Sequence, residues 1–283
     1  MKTASSRSRG KLDLATLTGL LVALCCILGG LLLEGGRLSD LAQITALLIV
    51  LGGTCGAVMV TTPSHVLSAA VRRLPSVFWQ PAFTADHAIS QILGLAAKAR
   101  RSGIISLDSE IEGLSDPFLR KAVMLVVDGT DLKVMRSIME LELLSAEQRG
   151  EAEAKVFEAA GGYAPTVGII GAVMGLIQVM KNLSNLEAVG HGIAVAFVAT
   201  VYGIFLANIL FLPAANKLKA RLQSALLMKE LALEGVEAIV EGMNPVLIEQ
   251  KLESYRRPIG EAVGTKQGRE ARESRKSSVR SAA

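Results

Sequence analysis

The sequence predicts an all-α, polytopic membrane protein: four transmembrane helices in two hairpins, with a helical cytoplasmic domain between the second and third spans. Three observations carry that expectation. Hydrophobic residues make up 51% of the 283 but aromatic residues only 4%, so the apolar mass is aliphatic and small. It is also segregated: the stretches 14–33, 41–62, 159–180 and 188–216 each run for about twenty residues or more without an Asp, Glu, Lys or Arg. A helix of about 20 residues rises about 30 Å, the thickness of a bilayer's hydrocarbon core. Finally, the Lys and Arg residues are distributed unevenly among the connecting segments, which orients the spans.

The elements follow in order. Residues 1–13 form a short basic N-terminus with Lys2, Arg7, Arg9 and Lys11. A charged start before an apolar run also fits a secretory signal peptide. However, the run over 14–33 exceeds a usual h-region and "LLLEGGRL" offers no A-x-A cleavage pattern, so a retained first span is expected. The second span covers 41–62. The segment 63–158 reads as a helical domain: "DHAISQILGLAAKARRSG" runs to a Gly stop, and "DPFLRKAVMLVVDG" opens on Pro117 and closes at Gly129. A third helix, from "DLKVMRSIMELELL" onward, continues towards the third span, 159–180, and the fourth span covers 188–214. Residues 215–255 space apolar side chains helically between charges and are expected to pack on the cytoplasmic helices. The tail, 256–283, has almost nothing to bury and is expected to be disordered. Cys25, Cys26 and Cys55 all lie within spans at no metal-ligand spacing, and read as small lipid- or helix-facing residues.

Of the 30 Lys and Arg residues, the N-terminus carries 4, the segment 63–158 carries 11 and the chain after Asn216 carries 13. The two short loops, 34–40 and 181–187, carry one each, Arg37 and Lys181. The positive-inside rule therefore puts both termini and the middle segment in the cytoplasm, in a plasma (inner) membrane. Anionic lipid headgroups account for the net charge of +4, and no nucleic-acid partner is needed.

The spans are more informative by what they align and what they lack. On a helical wheel Ala164, Gly168, Gly171, Ala172 and Gly175 share a wedge of about 100°, with Ile169, Ile170, Val173, Leu176 and Ile177 on the other side. In the fourth span Gly192, Ala196, Thr200, Gly203 and Ala207 lie within about 80° of one another. Small residues on one face are what helix association in lipid requires. Thr200 places a hydroxyl on that face, either back-bonded to its own helix or available to a transported ion. Pro165 and Pro213 sit at the cytoplasmic ends of the third and fourth spans, as helix-end prolines or as hinges. His191, at the other end of the fourth span, reads as an interface residue. No span holds a carboxylate, and ion relays through membranes depend on such groups, so an ion-moving role requires the carboxylate from another chain.

In the middle segment, Lys98, Arg100 and Arg101 precede Asp108, Glu110 and Glu112, either a solvated surface or a docking face for a partner of complementary charge. No Walker motif, metal-ligand cluster or nucleophile–base set occurs, so neither an enzyme nor a resident cofactor or metal is expected.

"LEGG" after the first span, "LIVLGGTCGAVMVTTP", "FLRKAVMLVVDGTD", "YAPTVGIIGAVMGLIQVM", "GIAVAFVATVYGIFLANILFLPAANKLKAR" and "EGMNPVLIEQKL" together resemble the MotA/PomA family of flagellar stator subunits, over roughly residues 14–255. The distant relatives ExbB and TolQ share the last two spans but have three in all. The resemblance implies a ring of five copies around a dimer of MotB, which supplies the membrane Asp and anchors to peptidoglycan. It implies that ion flow turns the ring against the rotor protein FliG. Arg100 and Asp108 match the rotor-contacting pair, with Glu110 and Glu112 beside them; the acid is often Glu in the family, one methylene longer. Pro165 and Pro213 match the two span-end prolines, and Thr200 the hydroxyl near the ion path. Sodium-type relatives carry Thr where this chain has Ala172. Sodium needs several oxygen ligands and a proton one titrating carboxylate, so proton coupling is the expectation. Alternatives are a sodium-driven PomA-type stator, an ExbB/TolQ-like energiser of an outer-membrane process, and a passive scaffold.

Overall fold

The computed structural model describes residues 11–80 and 85–256, and these are almost entirely helical. The tail's expected disorder falls outside them, except at Arg256, which closes a short 3₁₀ turn and pairs with Glu253 at 2.7 Å and Asp86 at 3.0 Å. Lys2, Arg7 and Arg9 also lie outside the described residues.

Among the described residues, four helices are long and apolar enough to cross a membrane. The first, Leu14–Leu33, starts where the Asp13 carboxylate accepts from the Thr16 backbone N–H, and none of its residues is buried. After a single turn, Leu38–Leu41, the second runs over Ile44–Thr61 and includes a turn of π-helix at Leu48–Gly52. It stops at Thr62, whose extended backbone is what the following Pro63 demands. The third span is the last part of one helix of 50 residues, Leu132–Lys181, which continues straight through Pro165. The fourth belongs to a helix over Leu186–Val240, with a second π turn at Leu206–Phe211.

The chain forms two compact units. The first groups residues 11–80 with 148–222, and the second groups 85–147 with 223–256. The segment 63–158 is thus divided, because both of its ends pack with the spans. Ala70, Val77 and Phe157 form one core with Val58, Ala215 and Leu218. A second core in this unit joins three spans through Ala46 and Val50, Ala164, and Val198, Ala199 and Leu206.

One element of the first unit escapes a helical reading. Lys11–Leu12 pairs antiparallel with Trp79–Gln80, a ladder of two residues each. The 3₁₀ turn Leu74–Val77, opened by Pro75, ends the helix Ser64–Arg73 and brings Phe78 against the start of the first span. There the Asp13 N–H donates to the Phe78 carbonyl at 2.9 Å.

The second unit is a helical bundle built from Ala85–Ser102, Pro117–Val127, the start of Leu132–Lys181, the end of Leu186–Val240 and Pro245–Leu252. Asp116 and Asn244 cap the two helices that open on proline. Ile89, Ile92, Leu119, Met135, Met139, Leu231 and Ile248 fill its core. Gly235 is required there: a Cβ would lie 2.7 Å from two carbons of Ile92.

Candidate functional site

The third and fourth spans touch backbone to backbone. A Cβ on Gly168 would lie 2.9 Å from the Ala199 carbonyl oxygen and 3.3 Å from the Gly203 Cα. On Gly175 it would lie 2.7 Å from the Gly192 oxygen, and on Gly171 it would lie 2.7 Å from the Ala199 methyl. Such contacts leave no room for side chains, and in lipid this close approach is itself the source of attraction. On the other side of the third span, Ile169, Ile170, Val173, Leu176 and Ile177 remain exposed.

Thr200 and Ala172 are each half-buried, in contrast to the buried Gly168, Gly171 and Gly175. Thr200 Oγ1 donates to the Ala196 carbonyl at 3.2 Å, so its lone pairs stay available. Its Cα lies 3.5 Å from the position of a Gly168 Cβ, which sets the hydroxyl beside the glycine seam. A second fixed point on the fourth span is Tyr202, whose hydroxyl donates to the carbonyl of Leu41, at the end of the single turn before the second span.

The two prolines are accommodated differently. Pro165 stays inside an unbroken helix, with its Cα 3.2 Å from where a Gly203 Cβ would be. Pro213 follows the π turn at Leu206–Phe211, and a widened turn relieves the clash of a proline ring with the preceding turn. Nothing in the residue pattern marks that widened turn except Pro213 itself.

The first unit also holds an ionic site with no motif to announce it. Asp13 is 2% exposed, and Lys217 Nζ lies 2.5 Å and Arg221 Nη2 3.2 Å from its Oδ2. Arg221 also donates to the carbonyls of Val77 and Trp79, tying the strand pair to the helix that carries the fourth span. The hydrogen bond from Lys217 is the main cause that holds the Asp13 carboxyl at about 2, against the opposing effect of burial. The one sequence signal was an Asp directly before an apolar run, a helix cap; its partners lie 208 residues away in the case of Arg221.

In the second unit, Lys98 Nζ lies 2.5 Å from Glu110 and 2.7 Å from the Ser109 hydroxyl. Arg100 ends the helix Ala85–Ser102, and Asp108 begins the single turn Asp108–Ile111. Gly103, at a φ of +82°, separates them with a backbone that favours glycine. Arg100, Asp108 and Glu112 are exposed and, among the described residues, enter no ion pair. Elsewhere in this unit Glu237, 4% exposed, accepts from Arg136 Nη1 at 2.9 Å while its other oxygen has no partner among the described residues. Burial, aided by Glu234, raises the Glu237 pKa in spite of Arg136. Among the described residues no cluster of His, Cys, Asp and Glu could hold a metal ion.

Residues 110–231 match the profile of the MotA/TolQ/ExbB proton channel family, and residues 17–103 match that of the motility protein A N-terminal region. The chain is 36% identical to motility protein A of Bacillus subtilis (strain 168), over 86% of this chain and 91% of that protein. It is 32% identical to the chemotaxis protein PomA of Vibrio alginolyticus, over 86% and 95%. Among solved structures, that of C. jejuni MotAB superposes with a TM-score of 0.83 at 34% identity, covering 86% of this chain and 96% of that one. The flagellar MotAB stator complex from Bacillus subtilis superposes with a TM-score of 0.80 at 35% identity, over 88% and 98%. The chain belongs to the MotA/TolQ/ExbB proton channel family, among the motility A proteins.

Proposed function

We propose that this chain is the membrane subunit of a flagellar stator, which assembles as a ring around a MotB-like dimer in the inner membrane and converts ion flow into rotation. One observation carries the reading: the third and fourth spans form a tightly zipped wall with a half-exposed Thr200 hydroxyl, yet no span contains a carboxylate. A wall of this kind is half of an ion path, and the MotB-like partner supplies the titrating Asp. The two solved structures named above are MotAB complexes, which supports the same partner.

In this reading both termini and the second unit face the cytoplasm, where the basic residues concentrate. Arg100 and Asp108, exposed and without ion pairs among the described residues, meet the rotor, with Glu110 and Glu112 extending the acidic side. Pro165 and Pro213 are the points at which the third and fourth spans yield as the partner's Asp changes charge. The absence of a hydroxyl at Ala172 leaves the path short of oxygen ligands for a dehydrated cation, which supports proton coupling.

The test is swimming of a stator-deletion strain complemented with this chain and its MotB-like partner, with the proton and sodium gradients collapsed separately. Motility should stop with the proton gradient and persist without a sodium gradient. Dependence on sodium alone would exchange the coupling ion, and failure to restore motility under any gradient would overturn the stator reading.

A further inference from the structure

Beside Arg100 the second unit has a cleft of about 320 Å³ that the charged pair does not explain. Ala99, Ile104, Val240 and Met243 line it, and Arg100 stands at its edge. Two helices end here. The Gly103 N–H donates to the Ala99 carbonyl at 2.8 Å, closing Ala85–Ser102, and the Gly242 N–H donates to the Ile239 carbonyl at 3.1 Å, closing Leu186–Val240. Both glycines have positive φ, +82° and +71°, so each chain turns sharply away and leaves the gap open between the two ends. Next to it, Ile105 is 79% exposed, the largest exposure of any bulky apolar side chain in this unit.

A concave apolar gap at the surface is a place where a partner's apolar side chain can be buried. The guanidinium at its edge selects that partner's charge, since Arg100 has no ion pair among the described residues. We propose that this cleft is a socket for the rotor: it takes one large aliphatic side chain from a rotor helix that also carries an acidic residue for Arg100. The inference rests on the reading of Arg100 as a rotor contact and adds the shape half of the recognition. Charge steers the encounter and an inserted apolar anchor holds the register during the stroke. The rotor segment is then recognisable by an acid and a Leu, Ile or Met on one helical face, three or four residues apart.

The test measures binding of purified rotor protein to the complete stator complex in nanodiscs, alongside stall torque of single motors. Three variants are compared: Ala99→Leu, which fills the socket; Met243→Asp, which makes it repulsive to an apolar side chain and an acid alike; and Arg100→Glu. All three should weaken binding by about tenfold or more, as expected for loss of a central contact, with ring assembly unchanged on native gels. If Ala99→Leu perturbs ring assembly, Met243→Asp, at a half-exposed position, decides alone. Weakening by Arg100→Glu with wild-type binding of Met243→Asp overturns the socket and leaves the charged contact standing. Wild-type binding of all three overturns the rotor-facing reading as well.

Discussion

Gly203 and Gly168 meet with no side chain between them: a Cβ on Gly203 would lie 3.1 Å from the Gly168 Cα and 2.6 Å from the Ala164 carbonyl oxygen. Because the obstructing atoms are backbone, neither helix can yield locally. Gly203→Ala should therefore destabilise the purified complex by about 1–3 kcal/mol, the usual cost of overpacking. Gly162, in the same helix as Gly168, has open space around its Cβ position, and Gly162→Ala should raise stability by about 0.5–1 kcal/mol through helix propensity. Thermal melts of the two variants in the same detergent check the opposed signs.

Thr200 bonds only to its own helix among the described residues, so its removal costs the fold little. Thr200→Val should change the melting free energy by less than about 1 kcal/mol, the scale of one side-chain hydrogen bond. Swimming should nevertheless fall steeply if the hydroxyl serves the ion path. Equal swimming of variant and wild type would remove Thr200 from that path.

Charge reversal at the rotor face should separate rotation from assembly. Arg100→Glu and Asp108→Lys should each abolish or strongly reduce swimming while fluorescently labelled rings still reach the motor. Lys98→Ala, by contrast, breaks a partly exposed pair with Glu110, which is worth about 0–1 kcal/mol. Its swimming defect should be small.

The Asp13 site gives a pH-dependent prediction. The folded carboxyl titrates at about 2 against an ordinary 3.8, so the native state binds fewer protons and the stabilisation is complete above pH 3.8. It is lost as the pH falls towards 2. Asp13→Asn should cost about 2 kcal/mol at neutral pH, since each tenfold change in proton affinity corresponds to about 1.4 kcal/mol. The gap between variant and wild type should narrow on acidification below pH 4, as seen in chemical denaturation of the complex across that range.

Arg136 holds a buried carboxylate, and the cost of its loss also shrinks on acidification. Arg136→Ala should destabilise the second unit by about 2 kcal/mol, less than for a fully buried pair because the Arg side chain is half exposed. Burial already raises the Glu237 pKa, so protonation relieves the unpaired charge and the loss should shrink as pH falls. Adding Glu237→Gln to Arg136→Ala should recover part of the stability.

The spans and their glycine seam are legible in the sequence because both are periodic and local. Twenty apolar residues announce a helix in lipid, and the spacing of Gly168, Gly171 and Gly175 announces which side is narrow. Exposure of Arg100 and Asp108 follows from their places on either side of a Gly stop, Arg100 in the last turn of a helix and Asp108 in the short charged link to a capped helix. What stays hidden depends on distant partners or on cumulative backbone geometry. The strand pair joins residues 11–12 to 79–80, the Arg136–Glu237 bond spans 101 residues, and the π turn at Leu48–Gly52 has no proline directly after it to mark it. The division of 63–158 between two units was hidden for the same reason, since Ala70, Val77 and Phe157 look like ordinary helix residues until Leu218 meets them.

The contact between Asp13 and Arg221 also sets an order of events during synthesis. The two residues are 208 apart, so Asp13 leaves the ribosome long before its cations exist. Until the fourth-span helix has been made, the Asp13 carboxylate has neither of its cations, and the first span buries no side chain of its own even in the finished chain. The clamp can therefore close fully only on a chain translated past residue 221. A product truncated before Lys217 keeps the first span and its strand pair but lacks both cations of the clamp.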